Sequence, residues 1–190
     1  MKSLLIIGAG GHGQVVKEIA QDLGYERIDF IDDHNNPIGK IKDLENFKEY
    51  QNAFVGIGNN KLRDELIDLL EQLGYQVPVL IHPTAYISRS ALIEAGTVVE
   101  PQAIVNANTK IKKGSIVSVG AIIDHDITLG KCVHVNAGAI VEAGGKVKDF
   151  EKLEAGSVRR GFRQALVTAN SNDEFVREEK EKTGMDISFF

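Results

Sequence analysis

Aliphatic residues recur at every sixth position along the second half of the chain, without interruption. The residues at this period are Ile81, Ile87, Ile93, Val99, Val105, Ile111, Val117, Ile123, Leu129, Val135, Val141, Val147 and Leu153. The residue four places after each of these thirteen is Ala, Ser, Thr or Gly in ten cases. A helix has a period of 3.6 and a half-buried strand a period of two, so neither explains the pattern.

A six-residue repeat with a buried aliphatic and a small residue at fixed offsets is typical of a parallel β-helix. Each hexad forms one flat face, and three hexads close a triangular coil of about 18 residues. The aliphatic side chain points into the narrow prism, and the small residue lies where the chain turns a corner. The sequence therefore predicts a β-helix domain over residues 81–158, with about four coils.

Residues 1–80 follow a different pattern, in which short apolar runs alternate with helical periodicity. We predict strands at 3–7, 27–31 and 53–57, helices at 14–23 and 61–73, and a fourth strand at 77–81 that enters the repeat. Alternating strands and helices favour a small parallel sheet with covering helices, a Rossmann-like α/β domain over residues 1–80. Residues 159–190 are predicted to form a C-terminal tail, with a charged helix from 171 to 183 that covers the open end of the prism.

Composition narrows the function classes. The chain is 43% hydrophobic and 26% charged, which is typical of a globular protein, and its net charge of −5 disfavours nucleic-acid binding. The single cysteine, Cys132, permits no disulfide within the chain and is compatible with a reducing cytoplasm. The apolar run after Met1 is too short for a signal peptide, and no segment is apolar over the length that a membrane requires, so we expect no membrane association.

A glycine-rich turn follows the first predicted strand. Gly8, Gly10 and Gly13 fit G-x-G-x-x-G between a strand and a helix, and Asp32 and Asp33 follow the second strand about 20 residues later. Glycines let backbone amides approach a phosphate that the helix N-terminus attracts. A nucleotide-sugar site, a purely structural turn and an NAD site all fit this motif. The small size of the sheet favours the nucleotide sugar.

A second turn supports a ligand site at the same edge of the sheet. Gly58 and Asn59 follow the third predicted strand. Because the carboxyl ends of neighbouring parallel strands lie side by side, this turn should face the same crevice as the first glycine turn.

His125 is the strongest candidate for a catalytic residue. Asp124 and Asp126 flank it, and a carboxylate bonded to one imidazole nitrogen makes the other nitrogen more basic, as a general base requires. His134 lies half a coil further along the chain, so one chain does not easily bring the two histidines together. Prisms with flat faces commonly pack as trimers, and a homotrimer would let His125 face His134 of a neighbouring subunit.

Two further clusters around the β-helix offer candidate sites. His82, His125 and His134 provide imidazoles for zinc, as in the γ-class carbonic anhydrases, but that family pairs two ligands at a shorter spacing, so we predict no metal site. Arg159 and Arg160, with Arg163, form a basic cluster beside the last coil. This cluster is either solvated or in contact with the phosphates of a cofactor that lies along the prism.

Several motifs together resemble the sialic acid O-acetyltransferase-like sugar acyltransferases, the hexapeptide-repeat family that includes bacterial UDP-amino-sugar N-acetyltransferases. The matching segments are GAGGHG (8–13), FIDD (30–33), GIGNNKLR (56–63), LIHPTAYIS (80–88), IIDHD (122–126) and VHVNAGA (133–139). The resemblance covers residues 1 to about 145. It implies a left-handed β-helix, a homotrimer and acetyl transfer from acetyl-CoA to a nucleotide-activated sugar, with a UDP-4-amino sugar as the first expectation.

The resemblance also implies residue roles. His125 would be the general base, assisted by Asp126, and His134 would contact the acetyl donor. Residues expected at the cofactor are His134, Ala143, Gly144, Arg159 and Arg160, with a backbone amide near 143–144 as an oxyanion donor. Residues expected at the sugar nucleotide are Gly10, His12, Gly13, Asp32, Asp33, Gly58 and Asn59.

Three alternatives remain open at this stage. The acceptor atom is an amine or a hydroxyl, so N-acetylation and sialic acid O-acetylation both fit. The repeat ends near residue 158, where the family continues, so a nucleotide-sugar-binding or scaffolding protein without transferase activity also fits. A zinc lyase would require bound metal.

Overall fold

The computed structural model describes residues 1–35 and 37–161. Its helices are α1 (Gly11–Asp22), a short 3₁₀ helix (Ile41–Phe47) and α2 (Asn60–Gln72). Its strands are β1 (Ser3–Ile7), β2 (Arg27–Ile31), β3 (Asn52–Val55), β4 (Leu80–Ile81), β5 (Tyr86–Ile87), β6 (Leu92–Ile93), β7 (Val98–Val99), β8 (Ile104–Val105), β9 (Lys110–Ile111), β10 (Ile116–Val117), β11 (Ile122–Ile123), β12 (Thr128–Leu129), β13 (His134–Val135), β14 (Ile140–Val141), β15 (Lys152–Leu153) and β16 (Val158–Arg159). The helix predicted at 171–183 lies outside the described residues.

The amino-terminal part is a three-stranded parallel sheet in the order β2-β1-β3, as expected for a small Rossmann-like fold. The strand expected at 77–81 enters the β-helix, as predicted, but it is shorter than predicted. Only Leu80 and Ile81 are extended there, and they pair with Val98 and Val99 of the β-helix. Pro78 has no N–H to donate to a sheet ladder, which favours a break in the strand at this point.

The hexads form a parallel β-helix with three faces. The first face contains β4, β7, β10, β13 and β15, the second contains β5, β8, β11, β14 and β16, and the third contains β6, β9 and β12. Paired residues in neighbouring strands of each face are one coil apart, as in Ile123 with Val141. The hexad at Val147 makes only an isolated bridge to Leu129, so within the described residues the third face has three strands where the other two have five.

The six-residue period corresponds to the core of the prism. The aliphatic residues from Val99 to Leu153 are buried in one continuous cluster, and those from Ile81 to Ile93 pack against its open end. Burying one such side chain contributes roughly 1.5–3 kcal/mol, so the stacked column is a major source of stability. At the last coil the inward position of this column is taken by Arg159, which pairs with Val141 in register.

The outer surfaces of the three faces differ in character. Leu80, Val98 and Ile116 of the first face are buried against the side chains of β1 and α1. The second face carries an apolar column on its outside, here called the outer ladder: Tyr86, Ile104, Ile122, Ile140 and Val158. The third face instead presents Leu92, Lys110 and Thr128.

Gly13 allows helix α1 to approach strand β1. A Cβ atom at Gly13 would lie 2.0 Å from the carbonyl oxygen of Gly8, whereas one at Gly10 would have no neighbour within 4 Å. We therefore expect Gly13→Ala to lower the free energy of unfolding by about 1–3 kcal/mol, because the helix must move away from the strand. Gly10→Ala should leave it nearly unchanged. Denaturant unfolding of the two variants checks this, and equal midpoints would contradict it.

Candidate active site

His125 and Asp126 form a hydrogen-bonded pair at the corner after strand β11. His125 Nδ1 lies 2.7 Å from Asp126 Oδ2, and its backbone N–H donates to Asp124 Oδ1 at 2.8 Å. About half of the His125 side chain is exposed, 51%. Because Nδ1 is hydrogen-bonded to the carboxylate, Nε2 is the ring nitrogen that can accept a proton from a substrate.

Neighbouring coils hold this pair in place. Asn108 Nδ2 donates to Asp126 Oδ1 at 3.0 Å, and Asn106 Nδ2 donates to Asp124 Oδ1 at 3.3 Å. The hydrogen bond to Asp126, with the charge of Asp124, raises the pKa of His125 above its ordinary value. The same bond, with that from Asn108, lowers the pKa of Asp126. The pair is therefore a carboxylate beside a more basic imidazole, which suits a general base.

His134 lies on the first face and meets His12 of the same chain. The two ring centroids are 6.4 Å apart. His12 Nδ1 is 3.6 Å from Glu100 Oε1, and His134 Nε2 is 3.2 Å from Ser118 Oγ. The four side chains form a largely buried cluster between the start of helix α1 and the β-helix, here called the interdomain pocket.

Burial keeps the imidazoles of the interdomain pocket neutral. Desolvation, with the nearby charge of Arg63, lowers the pKa of His134 to about 4. Desolvation, His134 and Arg63 lower the pKa of His12 to about 4. Burial raises the pKa of Glu100, although the Val119 N–H donates to it at 2.9 Å. Near neutral pH both rings present uncharged nitrogens.

Two nitrogens of the interdomain pocket make no hydrogen bond to the described residues. His12 Nε2 and His134 Nδ1 are buried and have no hydrogen-bond partner among residues 1–35 and 37–161. Buried polar atoms are usually satisfied by protein, water or ligand, so this pair suits one small polar group that binds between the rings.

The two acidic residues after β2 organise their own loop. Asp32 accepts hydrogen bonds from the backbone N–H groups of Ala9 and His34, both at 2.7 Å, and these bonds lower its pKa to about 2. Asp33 accepts from the N–H of Ile41 at 3.1 Å. Asp32 thus connects the loop after β2 to the glycine turn and fixes the shape of the crevice.

The second turn contains one structural and one open position. Asn59 Oδ1 accepts the N–H of Leu62 at 3.1 Å and so caps helix α2. Among the described residues, a Cβ atom at Gly58, Gly10 or Gly11 would meet nothing within 4 Å, so there is open space at both turns. A cleft of about 340 Å³ adjoins the first turn, lined by Ala9, Gln14, Lys17, Ile28, Asp29, Phe30, Asn35, Pro37 and Ile38.

The two basic residues expected at the cofactor are engaged in ion pairs. Arg159 pairs with Glu151, and Arg160 Nη1 is 2.6 Å from Glu142 Oε1. Ala143 and Gly144 form the corner after β14, where Gly144 has a φ of 75°. These two residues occupy the same corner as His125 and Asp126, one coil further along.

No group of three or more His, Cys, Asp or Glu side chains in the described part of the chain is arranged to hold a metal ion. His82 instead bridges Thr84 Oγ1, 2.8 Å from its Nδ1, and Asp22 Oδ2, 3.1 Å from its Nε2. Among the same residues, no helix has both the length and the apolar character needed to cross a membrane.

Sequence reasoning missed Glu100, Ser118 and Arg63. Glu100 and Ser118 occupy equivalent positions of successive coils, two places after the outward residues of β7 and β10, so the hexad count puts them on the corner beside His134. The count does not indicate that the α/β part covers this corner. In the sequence, Arg63 has the features of an exposed charged residue of helix α2. Nothing in the helical pattern indicates that it is buried.

The chain is similar to known proteins both in the α/β part and in the β-helix. Residues 3–70 match the family model described as the PglD N-terminal domain. The chain is 30% identical over 116 residues to the UDP-N-acetylbacillosamine N-acetyltransferase of Bacillus subtilis (strain 168), covering 52% of this chain and 51% of that protein. The chain therefore spans about half the length of this curated relative.

Two solved structures share the fold over most of their length. The acetyltransferase domain of PglB from Neisseria gonorrhoeae FA1090, in complex with acetyl coenzyme A, is 38% identical with a TM-score of 0.80, covering 84% of this chain and 82% of that chain. PerB from Caulobacter crescentus, in complex with CoA and GDP-perosamine, is 27% identical with a TM-score of 0.76, covering 84% of this chain and 89% of that chain. The similarity thus includes both the α/β part and the β-helix.

Proposed function

We propose that this chain, which belongs to the hexapeptide-repeat sugar acyltransferases related to the UDP-amino-sugar N-acetyltransferases, transfers acetyl from acetyl-CoA to a nucleotide-activated sugar. The proposed acceptor atom is an amine, and a UDP-4-amino sugar of surface-glycan biosynthesis is the first substrate to test. The observation that carries the proposal is the His125–Asp126 pair, in which Asp126 binds Nδ1 of His125 on an exposed corner and leaves Nε2 without a hydrogen bond to the described residues.

The proposed chemistry needs one base and a site for two ligands. The acceptor amine attacks the thioester carbonyl, a C–N bond forms, and the C–S bond breaks to release CoA. His125 Nε2 takes the proton that the amine loses, and Asp126 stabilises the imidazolium that results. An amide N–H near 143–144, one coil from His125, is proposed to donate to the oxyanion. The Glu151 and Glu142 partners of Arg159 and Arg160 must be displaced if those arginines bind phosphate.

The crevice of the α/β part is the proposed site for the nucleotide sugar. Gly10 and Gly58 leave open space at the ends of β1 and β3, and the N-terminus of helix α1 attracts phosphate. The adjoining cleft offers Phe30 and Ile38 for apolar contact and Lys17 for charge. The interdomain pocket, with the uncharged nitrogens of His12 and His134, would hold a neutral polar group rather than a phosphate.

A homotrimer is proposed because the outer ladder gives the second face an apolar outside. Tyr86 is 58% exposed and Val158 41% exposed, with three isoleucines between them in register. His125 follows β11 of this same face, so a subunit packed against the outer ladder would lie beside His125. A site that is shared between subunits explains why His125 and His134 lie on different faces of one chain.

The test is acetyl transfer from acetyl-CoA, read as release of free thiol, across a panel of UDP-amino sugars and sialic acids. We expect turnover with an amino sugar, while turnover only with a sialic acid hydroxyl would assign O-acetylation instead. Calorimetric titration separates the remaining alternative. Binding of a nucleotide sugar without binding of acetyl-CoA, and without thiol release, would favour a binding or scaffolding protein.

A further inference from the structure

Helix α2 lies along a column of corner residues of the β-helix. Gly96, Gly114, Cys132 and Phe150 follow one another at intervals of one coil, and all four have positive φ values between 49° and 72°. We call these four residues the corner column. They turn the chain at the same corner of successive coils, where their carbonyl groups are available to side chains from outside the prism.

Side chains of helix α2 contact the corner column at successive coils. Asn60 Nδ2 donates to the carbonyl of Phe150 at 2.9 Å. Arg63 donates through Nε to the carbonyl of Gly114 at 2.6 Å, and through Nη2 to that of Cys132 at 3.1 Å. A Cβ atom on Gly114 would lie 2.8 Å from Ile67 Cδ1, so this glycine makes room for Ile67.

The spacing follows from the geometry of the two structures. Contact residues three or four apart on a helix are separated by about 4.5–6 Å along its axis. Successive coils of a β-helix are separated by the strand spacing of about 4.8 Å. One helical turn therefore matches one coil.

A line of ion pairs repeats the same register. Lys131 Nζ is 2.8 Å from Asp64 Oδ2, and Lys113 Nζ is 2.6 Å from Asp68 Oδ1. The two lysines are one coil apart, and the two aspartates are one helical turn apart. The hydrogen bonds of Asn60 and Arg63 and both ion pairs are satisfied together in this register of α2 on the prism.

Arg63 is the central residue of this contact. Its side chain is 1% exposed, and its contacts include the carbonyl of Ile57 at 2.9 Å and Oδ1 of Asn60 at 2.8 Å. The guanidinium therefore connects the turn after β3, helix α2 and two coils of the β-helix. Cys132, whose carbonyl it binds, stands two positions before His134.

We propose that Arg63 is a positioning residue for the acetyl transfer: by binding the carbonyls of Gly114 and Cys132 it fixes the register of the α/β part on the β-helix, so that His12 meets His134. The inference rests on the proposed function for its kinetic consequence only. Its structural consequence, the assembly of the interdomain pocket, is measurable without any substrate.

The charge and the geometry of Arg63 have separable effects. The groups that face the two histidines are Glu100 from the corner after β7, Lys152 from β15 and Arg63 from α2. Removing the positive charge of Arg63 should raise the pKa of both imidazoles. A lysine keeps the charge but lacks the planar fork, so it should lose the register contacts alone, and any rise of the two pKa values then reports lost burial.

The experiment compares Arg63→Lys and Arg63→Met with Lys61→Met, a control at an exposed position of the same helix. Side-chain NMR of the histidines in the full chain is the first readout. We expect Lys61→Met to keep the wild-type shifts of His12 and His134, and Arg63→Met and Arg63→Lys both to change them. The pKa values of both imidazoles should rise in the two Arg63 variants, most in Arg63→Met, which loses the positive charge as well as the burial. The titration of His125 should be unchanged in all three.

Kinetics are the second readout. We expect Arg63→Lys to lower kcat/KM for the acceptor about 10- to 100-fold, which is the effect of a misplaced binding group. The acidic limb of its pH–rate profile, which His125 sets, should stay at the wild-type position. Wild-type histidine shifts in a folded Arg63→Met variant would overturn the inference, whether or not the protein transfers acetyl.

If Arg63→Met does not fold, Asn60→Ala replaces it. This variant removes the contact with Phe150 and one support of the guanidinium, so it should perturb the same two histidines. Absence of transfer in the wild type, with the NMR effects intact, would overturn only the proposed function.

Discussion

Replacing His125 with alanine is expected to lower kcat by about 10²- to 10⁴-fold, the range typical of a general base. The side chain is half exposed and follows β11 of the β-helix, whereas the glycine turns follow β1 and β3 of the α/β part, so the Kd for the nucleotide sugar should stay close to the wild-type value. Steady-state thiol release gives kcat, and calorimetry gives Kd. An unchanged kcat would remove His125 from the mechanism.

Asp126→Asn is the matched control for this prediction, because it removes the charge and keeps the shape. In the wild type the pKa of His125 is raised by Asp126, so the neutral base is lost as the pH falls through a value above the ordinary 6.5. The rate should therefore fall on the acidic side of that raised pKa. Without the carboxylate the pKa of His125 falls, and the acidic limb of the pH–rate profile should move to lower pH. A limb that stays in place would contradict the pairing.

Replacing Ile122 with aspartate is expected to dissociate the proposed trimer and to lower activity about 100-fold or more, because the site would lose the groups that a neighbouring subunit positions. Ile122 is at the centre of the outer ladder, between Ile104 and Ile140, and its side chain points outward. A carboxylate buried without a partner in a subunit interface costs several kcal/mol, which exceeds what a small apolar interface tolerates. Sedimentation velocity gives the assembly state, and thiol release gives the activity.

Thr128→Asp places the same charge on the third face as a control. Thr128 also points outward, but its column contains Lys110 and Leu92, not a continuous apolar ladder. It should leave both assembly and turnover near wild type. A monomeric wild-type protein that transfers acetyl would contradict the trimer, as would an Ile122→Asp variant that keeps the wild-type mass and rate.

Much of the fold could be predicted because its periods are local. The hexads predicted the inward column from Val99 to Leu153, and the alternation of strands and helices predicted a small parallel sheet, which has three strands. The errors occur where local patterns meet. The sequence around Leu80 fits a strand of the α/β part and a strand of the β-helix equally well. Only its pairing with Val98 shows that it belongs to the β-helix.

The candidate site was predictable in its chemistry but not in its arrangement. The neighbours Asp124 and Asp126 are enough to suggest that His125 is a base, since a residue adjacent in sequence is always within reach. His12 and His134 are far apart in the chain, and no local pattern indicates that their rings lie 6.4 Å apart. Asp32 and Asn59, expected at a ligand, also hold their own loops, which only the backbone geometry reveals.

The sequence by itself determined the prism, the small parallel sheet and the His125–Asp126 pair, because each depends on a short repeat or on adjacent residues. Only the tertiary structure decided which face of the prism the α/β part covers. That choice depends on helix α2, whose turns match the coils, and on Arg63, whose guanidinium binds carbonyls of two successive coils. Contacts of this kind join residues that are distant in the chain, and hydrophobic periodicity carries no information about them.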